Sequence, residues 1–287
     1  MSRVVGATLF ALVAFAANSV LCRMALRQGH IDPASFMSIR LVTGALTMWV
    51  LVRASTWGKA AGGTWYSALT MLVYAVPFTF AYVGLTAGAG ALLLFGAAQV
   101  VMIAAGFAGG ERIDGTIALG WLLAVAGLVL LLLPGLTAPP LREALFMLIA
   151  GMAWGAYSLQ GRRSTDALGD TAGNFVRSVP GTLLVSAALW THRSADPKGV
   201  ILAALSGSVG SGLGYAAWYT AVPRLGSIAA ANAQLSVPVI AALAGVVLLG
   251  EPVTWRLVVA SVLVLGGTAL AVRRRLTLPA TRTASKP

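Results

Sequence analysis

The chain has 287 residues, of which 58% are hydrophobic and only 10% charged, with 33 glycines and a net charge of +12. A soluble domain carries about 25% charged residues, and a compact fold has no interior large enough to hide this much apolar surface. Composition therefore excludes a soluble enzyme, a disordered chain and a nucleic-acid-binding domain, and assigns the positive charge to cationic loops flanking membrane spans.

A helix crossing about 30 Å of hydrocarbon needs about 20 apolar residues. Runs of that kind predict ten spans, in order Val4 to Cys22, Ala34 to Val52, Trp65 to Leu85, Ala89 to Ala108, Thr116 to Leu133, Ala144 to Gln160, Asn174 to Trp190, Val200 to Val222, Ser227 to Leu249 and Val253 to Val272. The runs are continuously apolar rather than alternating, which argues against a β-barrel. The first run is longer than a signal-peptide core, so it is expected to be retained as a span. The breaks between the third and fourth spans (Gly84 to Gly90) and between the eighth and ninth are the least marked. Lys and Arg favour the side that holds both termini, chiefly through Arg273, Arg274 and Arg275, so both termini are expected in the cytoplasm.

The halves of the chain echo each other. Gly110-Glu111 precedes the fifth span and Gly250-Glu251 the tenth; Gly127 corresponds to Gly267. Phe15 to Asn18 followed by Arg23 corresponds to Trp154 to Tyr157 followed by Arg162, and Arg40 to Arg177. A unit of five spans is odd, so its second copy must enter the bilayer from the opposite face. The expected fold is thus an all-α integral membrane protein of ten transmembrane helices in two inverted five-helix repeats. The expected divisions are 1–138, 139–275 and a basic cytoplasmic tail, 276–287. In that architecture a solute site lies near the midplane between the copies, which rock to expose it alternately.

Ten spans, paired five-span copies, Trp154-Gly155 opening one copy and a Gly-Glu after the fourth helix of each resemble the drug/metabolite transporter superfamily, in its EamA-type ten-helix branch. In size and overall character the chain looks most like bacterial amino-acid exporters, including the aromatic amino-acid group. It departs from the pattern where Phe15-Ala16 replaces Trp-Gly in the first copy. The resemblance implies a secondary transporter of the bacterial inner membrane that exports small metabolites, amino acids foremost, by alternating access. Multidrug efflux on the same fold is the rival reading, and a membrane-embedded transferase or hydrolase the rival from another class.

Chemistry-bearing groups are sparse. One cysteine, Cys22, and two loop histidines, His30 and His192, make no metal or nucleophile set, and no phosphate-binding loop appears, so neither catalysis nor a cofactor is expected. All eight acids fall in loops or at span ends, which favours passive or exchange transport over a proton relay. Glu111 and Glu251 each precede a helix and read as caps of that helix. Arg40 and Arg177 read first as snorkelling side chains, with a grip on a substrate carboxylate as the sharper alternative.

Candidate substrate contacts are aromatic rings and intramembrane amides. Tyr74, Phe78 and Tyr82 recur every four residues, Trp154 and Tyr157 lie one turn apart, and Tyr215 and Trp218 share a face with Ser208 and Ser211. The intramembrane amides Asn18, Gln99, Gln160, Asn232 and Gln234 must face the bundle or a cavity, and Asn18 and Asn232 can both donate and accept, as a zwitterion requires. Packing is the plain alternative for each ring, and helix–helix hydrogen bonding for each amide. Trp65, Tyr66, Trp190 and Trp255, at span ends, read as interfacial anchors. Pro77 and Pro238 read as kinks, and Gly210 with Gly214 as a close-packing face.

Overall fold

A computed structural model describes residues 2–54, 62–109, 114–135, 138–161, 164–221 and 233–277. Among them are α1 (Ser2–Arg27), α2 (Pro33–Ala54), α3 (Trp65–Ala81), α4 (Ala87–Ala108), α5 (Gly115–Leu132), α6 (Leu141–Gly161), α7 (Ala167–Ala188), α8 (Pro197–Ala221), α9 (Ser236–Leu249) and α10 (Trp255–Thr277). The only β pairing among the described residues is an isolated antiparallel bridge between Ile31 and Ala195. The chain is an all-α multi-pass membrane protein.

Seven helices (α1, α2, α4, α5, α6, α8 and α10) are long and apolar enough to cross a bilayer, and α3 and α9 are shorter apolar helices. The expected seventh span is different in kind. α7 starts seven residues before Asn174 and carries Thr171, Asn174, Ser178 and Thr182 buried against the bundle, while Val176, Leu183 and Leu184 are exposed. Its polar face points inward, because lipid offers those groups no partner and neighbouring helices do.

Local chemistry sets the helix starts. Thr64, Thr86, Asp114, Asp166 and Asp196 each cap a helix through the side chain, Asp196 accepting from Gly199 N at 2.7 Å with Pro197 beginning α8. Gly250, at φ +62°, ends α9 in the left-handed conformation that glycine takes without penalty. Pro77 lies inside an unbroken α3. Pro238 stands in the first turn of α9, just after the break at Leu235 that separates α9 from the helical residues Ala233 and Gln234.

Helix pairing follows a rule. α3 packs on α6 as α8 does on α1; α4 packs on α6 as α9 does on α1; α2 packs on α8 as α7 does on α3. The pairs α2–α7, α4–α9 and α5–α10 map onto themselves under the same shift of five helices. At α5–α10 the relation reaches individual residues. A Cβ at Gly120 would strike Gly267 O, and one at Gly127 would lie 3.0 Å from Ala260 O. Moving 140 positions takes Gly120 to Ala260 and Gly127 to Gly267, so the two contacts are images of each other.

Gly210 and Gly214 let α8 approach Ala14 and Asn18 of α1, and Gly151 and Gly155 let α6 approach the backbone of α4. Trp65, Tyr66, Trp190 and Trp255 are exposed at helix ends, as interfacial anchors require. Between α2 and α7 an apolar groove of about 460 Å³, lined by Val42, Leu46, Trp49, Val176 and Pro180, opens on the outer face of the bundle. Its lining suits lipid rather than a polar solute.

Candidate functional site

The site is built on a widened turn. Within α8, Ser206 to Leu213 form a π-helical segment containing Gly207, Gly210 and Gly212. Such segments re-aim side chains and recur at functional positions. Here Ser206 Oγ donates to Asn18 Oδ1 on α1, and Ser211 Oγ meets Arg40 on α2. Ser208 Oγ donates to Ala204 O of its own helix.

A continuous chain of rings runs through the bundle interior. Tyr82 meets Phe78 at 5.0 Å between centroids, Phe78 meets Tyr74 at 5.3 Å, and Tyr74 meets Trp154 at 5.2 Å. Trp154 stacks on Tyr157 at 5.9 Å and meets Tyr215 edge-on at 5.5 Å. Tyr215 also touches Phe15, Phe175 and Tyr219, and Trp218 joins through Phe15 at 6.0 Å. These rings come from α1, α3, α6, α7 and α8, so helices from both halves of the chain furnish the cluster. Offset and edge contacts of this kind contribute about 1 kcal/mol each beyond area burial.

Arg40 does not snorkel. It is 2% exposed, with Nη2 donating to Tyr74 Oη at 2.9 Å and Nε reaching Ser211 Oγ at 3.4 Å. Its guanidinium lies 4.6 Å from the Phe78 ring centroid. Its Nη1 is buried and has no hydrogen-bond partner among the described residues. Arg177, its counterpart along the chain, is half-buried and donates to Gly62 O, which lies beside the first turns of α7.

A cavity of about 160 Å³ adjoins the ring chain at the end of the bundle where α2 connects to α3 and α6 to α7. Thr64, Ser67, Tyr157, Gln160, Asp170 and Tyr219 contribute to its wall. Asn174 ties this end together: Nδ2 donates to Tyr157 Oη at 3.2 Å, and Oδ1 accepts from Thr64 N at 3.0 Å. Asp170 accepts from Gly63 N at 2.8 Å and from Ser164 Oγ, while Gln160 accepts from Ser67 and donates to Thr70.

The opposite end is closed by polar ties. Arg23 Nε pairs with Glu251 Oε1 at 3.1 Å, and its Nη1 donates to Tyr82 O and Val83 O. The other oxygen of Glu251 accepts from Ala87 N, at the start of α4, at 2.8 Å. Glu251 is therefore a helix cap, but of α4 and not of the helix that follows it. Beside this knot the α1–α2 and α7–α8 connections pair: His30 Nδ1 lies 2.6 Å from Asp196 Oδ2, and Asp32 accepts from Ser194 N. The Gly199 N–H, and then the His30 ring, hold the Asp196 carboxyl below the usual carboxylate range.

Of the residues singled out from the sequence, Tyr74, Phe78, Trp154, Tyr157 and Tyr215 come together in one cluster. Tyr82 is pulled toward the closed end, where its ring fills the space beside Gly90 and its carbonyl serves Arg23. Trp218 stands at the margin. Asn18 is engaged in the α1–α8 contact through Ser206 and Gly210, and Gln99 is buried on α4, a helix that contributes no ring to the chain. Asn232 and Glu111 lie outside the described residues, as do the expected start of the ninth span and most of the basic tail. Sequence reasoning missed Phe175, Tyr219 and Asn174. The last had a legible signal, since an amide within an apolar run needs a partner.

Residues 141–273, α6 to most of α10, match the model of the EamA-like transporter family. The chain is 51% identical over 271 residues to "Uncharacterized protein PA1977" of Pseudomonas aeruginosa, a match covering 94% of each protein. A solved crystal structure resembles it with a TM-score of 0.67 at 18% identity, covering 96% of this chain and 99% of the other, which is a likeness of fold. The chain thus carries an EamA-like transporter family domain, from α6 to most of α10, and is a multi-pass membrane transporter of small molecules.

Proposed function

We propose that this protein is a secondary transporter that exports small metabolites from the bacterial cytoplasm, with amino acids, aromatic ones included, as its main substrates. The observation that carries the reading is the ring cluster, drawn from both halves of the chain and bordered by a polar cavity at one end of the bundle. Apolar walls with a few hydroxyls and amides suit a small, partly apolar solute. The substrate contacts in this reading are Tyr74, Phe78, Trp154, Tyr157 and Tyr215, with Tyr82, Trp218, Asn18, Gln99 and Asn232 as further candidates.

The shift-of-five pairing supports two inverted repeats, 1–138 and 139–275, that rock about this cluster. With both termini cytoplasmic, the cavity end faces the cytoplasm and the Arg23–Glu251 end faces outward. The conformation described is then closed on the outside. Flux through reconstituted liposomes, measured with a panel of amino acids and organic cations, tests the reading. Counterflow of phenylalanine, tryptophan or other amino acids is the expected result, and transport confined to lipophilic cations would replace it with multidrug efflux.

A further inference from the structure

We propose that Arg40 is an anion-binding residue, its free Nη1 taking the carboxylate of a substrate whose apolar body lies against Tyr74, Phe78 and Trp154. The inference rests on the transport reading and names the chemical class of its substrate.

A guanidinium presents five N–H donors in a fixed planar fork. Around Arg40, the Tyr74 hydroxyl takes Nη2, Ser211 takes Nε and the Phe78 face lies against the cation, so among the described residues only the Nη1 corner has no partner. The residue is 2% exposed, so bulk solvent does not reach that corner. Nor does a protein acid: the ion pairs among the described residues are Arg23–Glu251 and His30–Asp196, and neither includes Arg40. A buried cation without a counter-charge is expensive, more so at membrane depth. The rings offset only part of that cost.

One singly charged group is what the arrangement lacks. A carboxylate supplies one negative charge and a planar acceptor that matches the fork, whereas a doubly charged phosphate would leave an excess charge in the same apolar surround. A route exists in outline. The cavity is lined by Tyr157 and Tyr219; their rings touch Trp154 and Tyr215, and Trp154 touches Tyr74, the residue that holds Arg40. Three rings in succession, Tyr157, Trp154 and Tyr74, thus lie between the cavity and the guanidinium.

The test is calorimetric titration of the full-length protein in nanodiscs with 3-phenylpropionate and with 3-phenylpropionamide, which share a body and differ in charge. The wild type is expected to bind the acid about tenfold more tightly than the amide. Arg40→Gln is expected to bring that ratio to about one, and Arg40→Lys to retain a preference for the acid. Should Arg40→Gln not fold, Tyr74→Phe serves: it frees Nη2 beside Nη1, and is expected to raise the acid-to-amide affinity ratio several-fold. Equal binding of acid and amide by the wild type, a preference surviving in Arg40→Gln, or an unchanged ratio in Tyr74→Phe would overturn the proposal. Phenylalanine flux with no acid preference would overturn this inference and leave the transport reading standing. Acid-selective binding abolished by Arg40→Gln, without flux of any amino acid, would do the reverse.

Discussion

Arg23 and Glu251 form a buried ion pair, Nε to Oε1 at 3.1 Å, that ties α1 to the turn between α9 and α10 across 228 positions of sequence. Neither charge is left with a bare side: Arg23 also serves the carbonyls of Tyr82 and Val83, and Glu251 the N–H of Ala87. Three pieces of chain, α1, the α3–α4 connection and the α9–α10 turn, therefore meet at two side chains, at the end of the bundle opposite the cavity. Glu251→Gln keeps the shape but strands the Arg23 charge. The expected loss is about 3 kcal/mol, since removing one partner leaves an uncompensated buried ion. Denaturant unfolding in micelles measures it, and a change under about 0.5 kcal/mol, the range of an ordinary surface substitution, would show that the pair does not hold this end together.

The ring cluster makes a second expectation. Trp154 bridges Tyr74, Tyr157 and Tyr215, while Trp190 and Trp255 are exposed at helix ends. Trp154→Ala should lower amino-acid flux about tenfold or more at equal expression, the equivalent of about 1.4 kcal/mol of lost stabilisation. Trp190→Ala and Trp255→Ala should stay within about twofold. Trp218→Ala, which loses the Phe15 contact, should fall between them. Equal loss in all four variants would remove the distinction between cluster and membrane anchor.

Close packing of α5 on α10 leads to a third. Gly120 and Gly267 face each other with no room for a Cβ, and the neighbour in each case is backbone that cannot turn aside. Gly120→Val and Gly267→Val should each destabilise the protein by about 1–3 kcal/mol through overpacking. Gly115→Val, at a position with open space around it, should cost under about 1 kcal/mol, the scale of a helix-propensity change. Thermal melts of the three variants separate the cases.

The pairing of the α1–α2 and α7–α8 connections has a pH signature. Asp196 is held below its ordinary range by the Gly199 N–H and by His30. A carboxylate whose folded pKa is depressed stabilises the fold above its unfolded value, and that contribution is lost as pH falls through the folded pKa. The difference in melting temperature between the wild type and Asp196→Asn should thus hold steady from pH 7 to about pH 4, then shrink at lower pH. A difference that persisted undiminished to about pH 2, below the whole titration range of such a group, would exclude the carboxylate as its source.

Much of this architecture was legible from residue order. Apolar run length is a local property, set by the thickness of hydrocarbon a helix must cross, so most of the helices could be placed within about five residues before any packing was known, α7 excepted. Gly127 with Gly267, and the five-span count, pointed to the relation that appears between α5 and α10. Tyr74 and Phe78, four residues apart, already shared one face of α3, because the helix repeat puts them there.

What tertiary structure decided is which distant groups meet. The depth of Arg40 in its span suggested a long side chain reaching for the interface; only the approach of Tyr74 and Ser211, from two other helices, holds it inside. Glu251, beside the start of one helix in sequence, caps another instead. α7 looked like a late-starting apolar span, and its polar face became intelligible once Thr64 and Tyr157 stood opposite Asn174. The physical reason is common to all three. Hydropathy and helix period act along the chain, over a turn or two, whereas a buried polar group is satisfied by whatever packing brings to it, from any distance along the sequence.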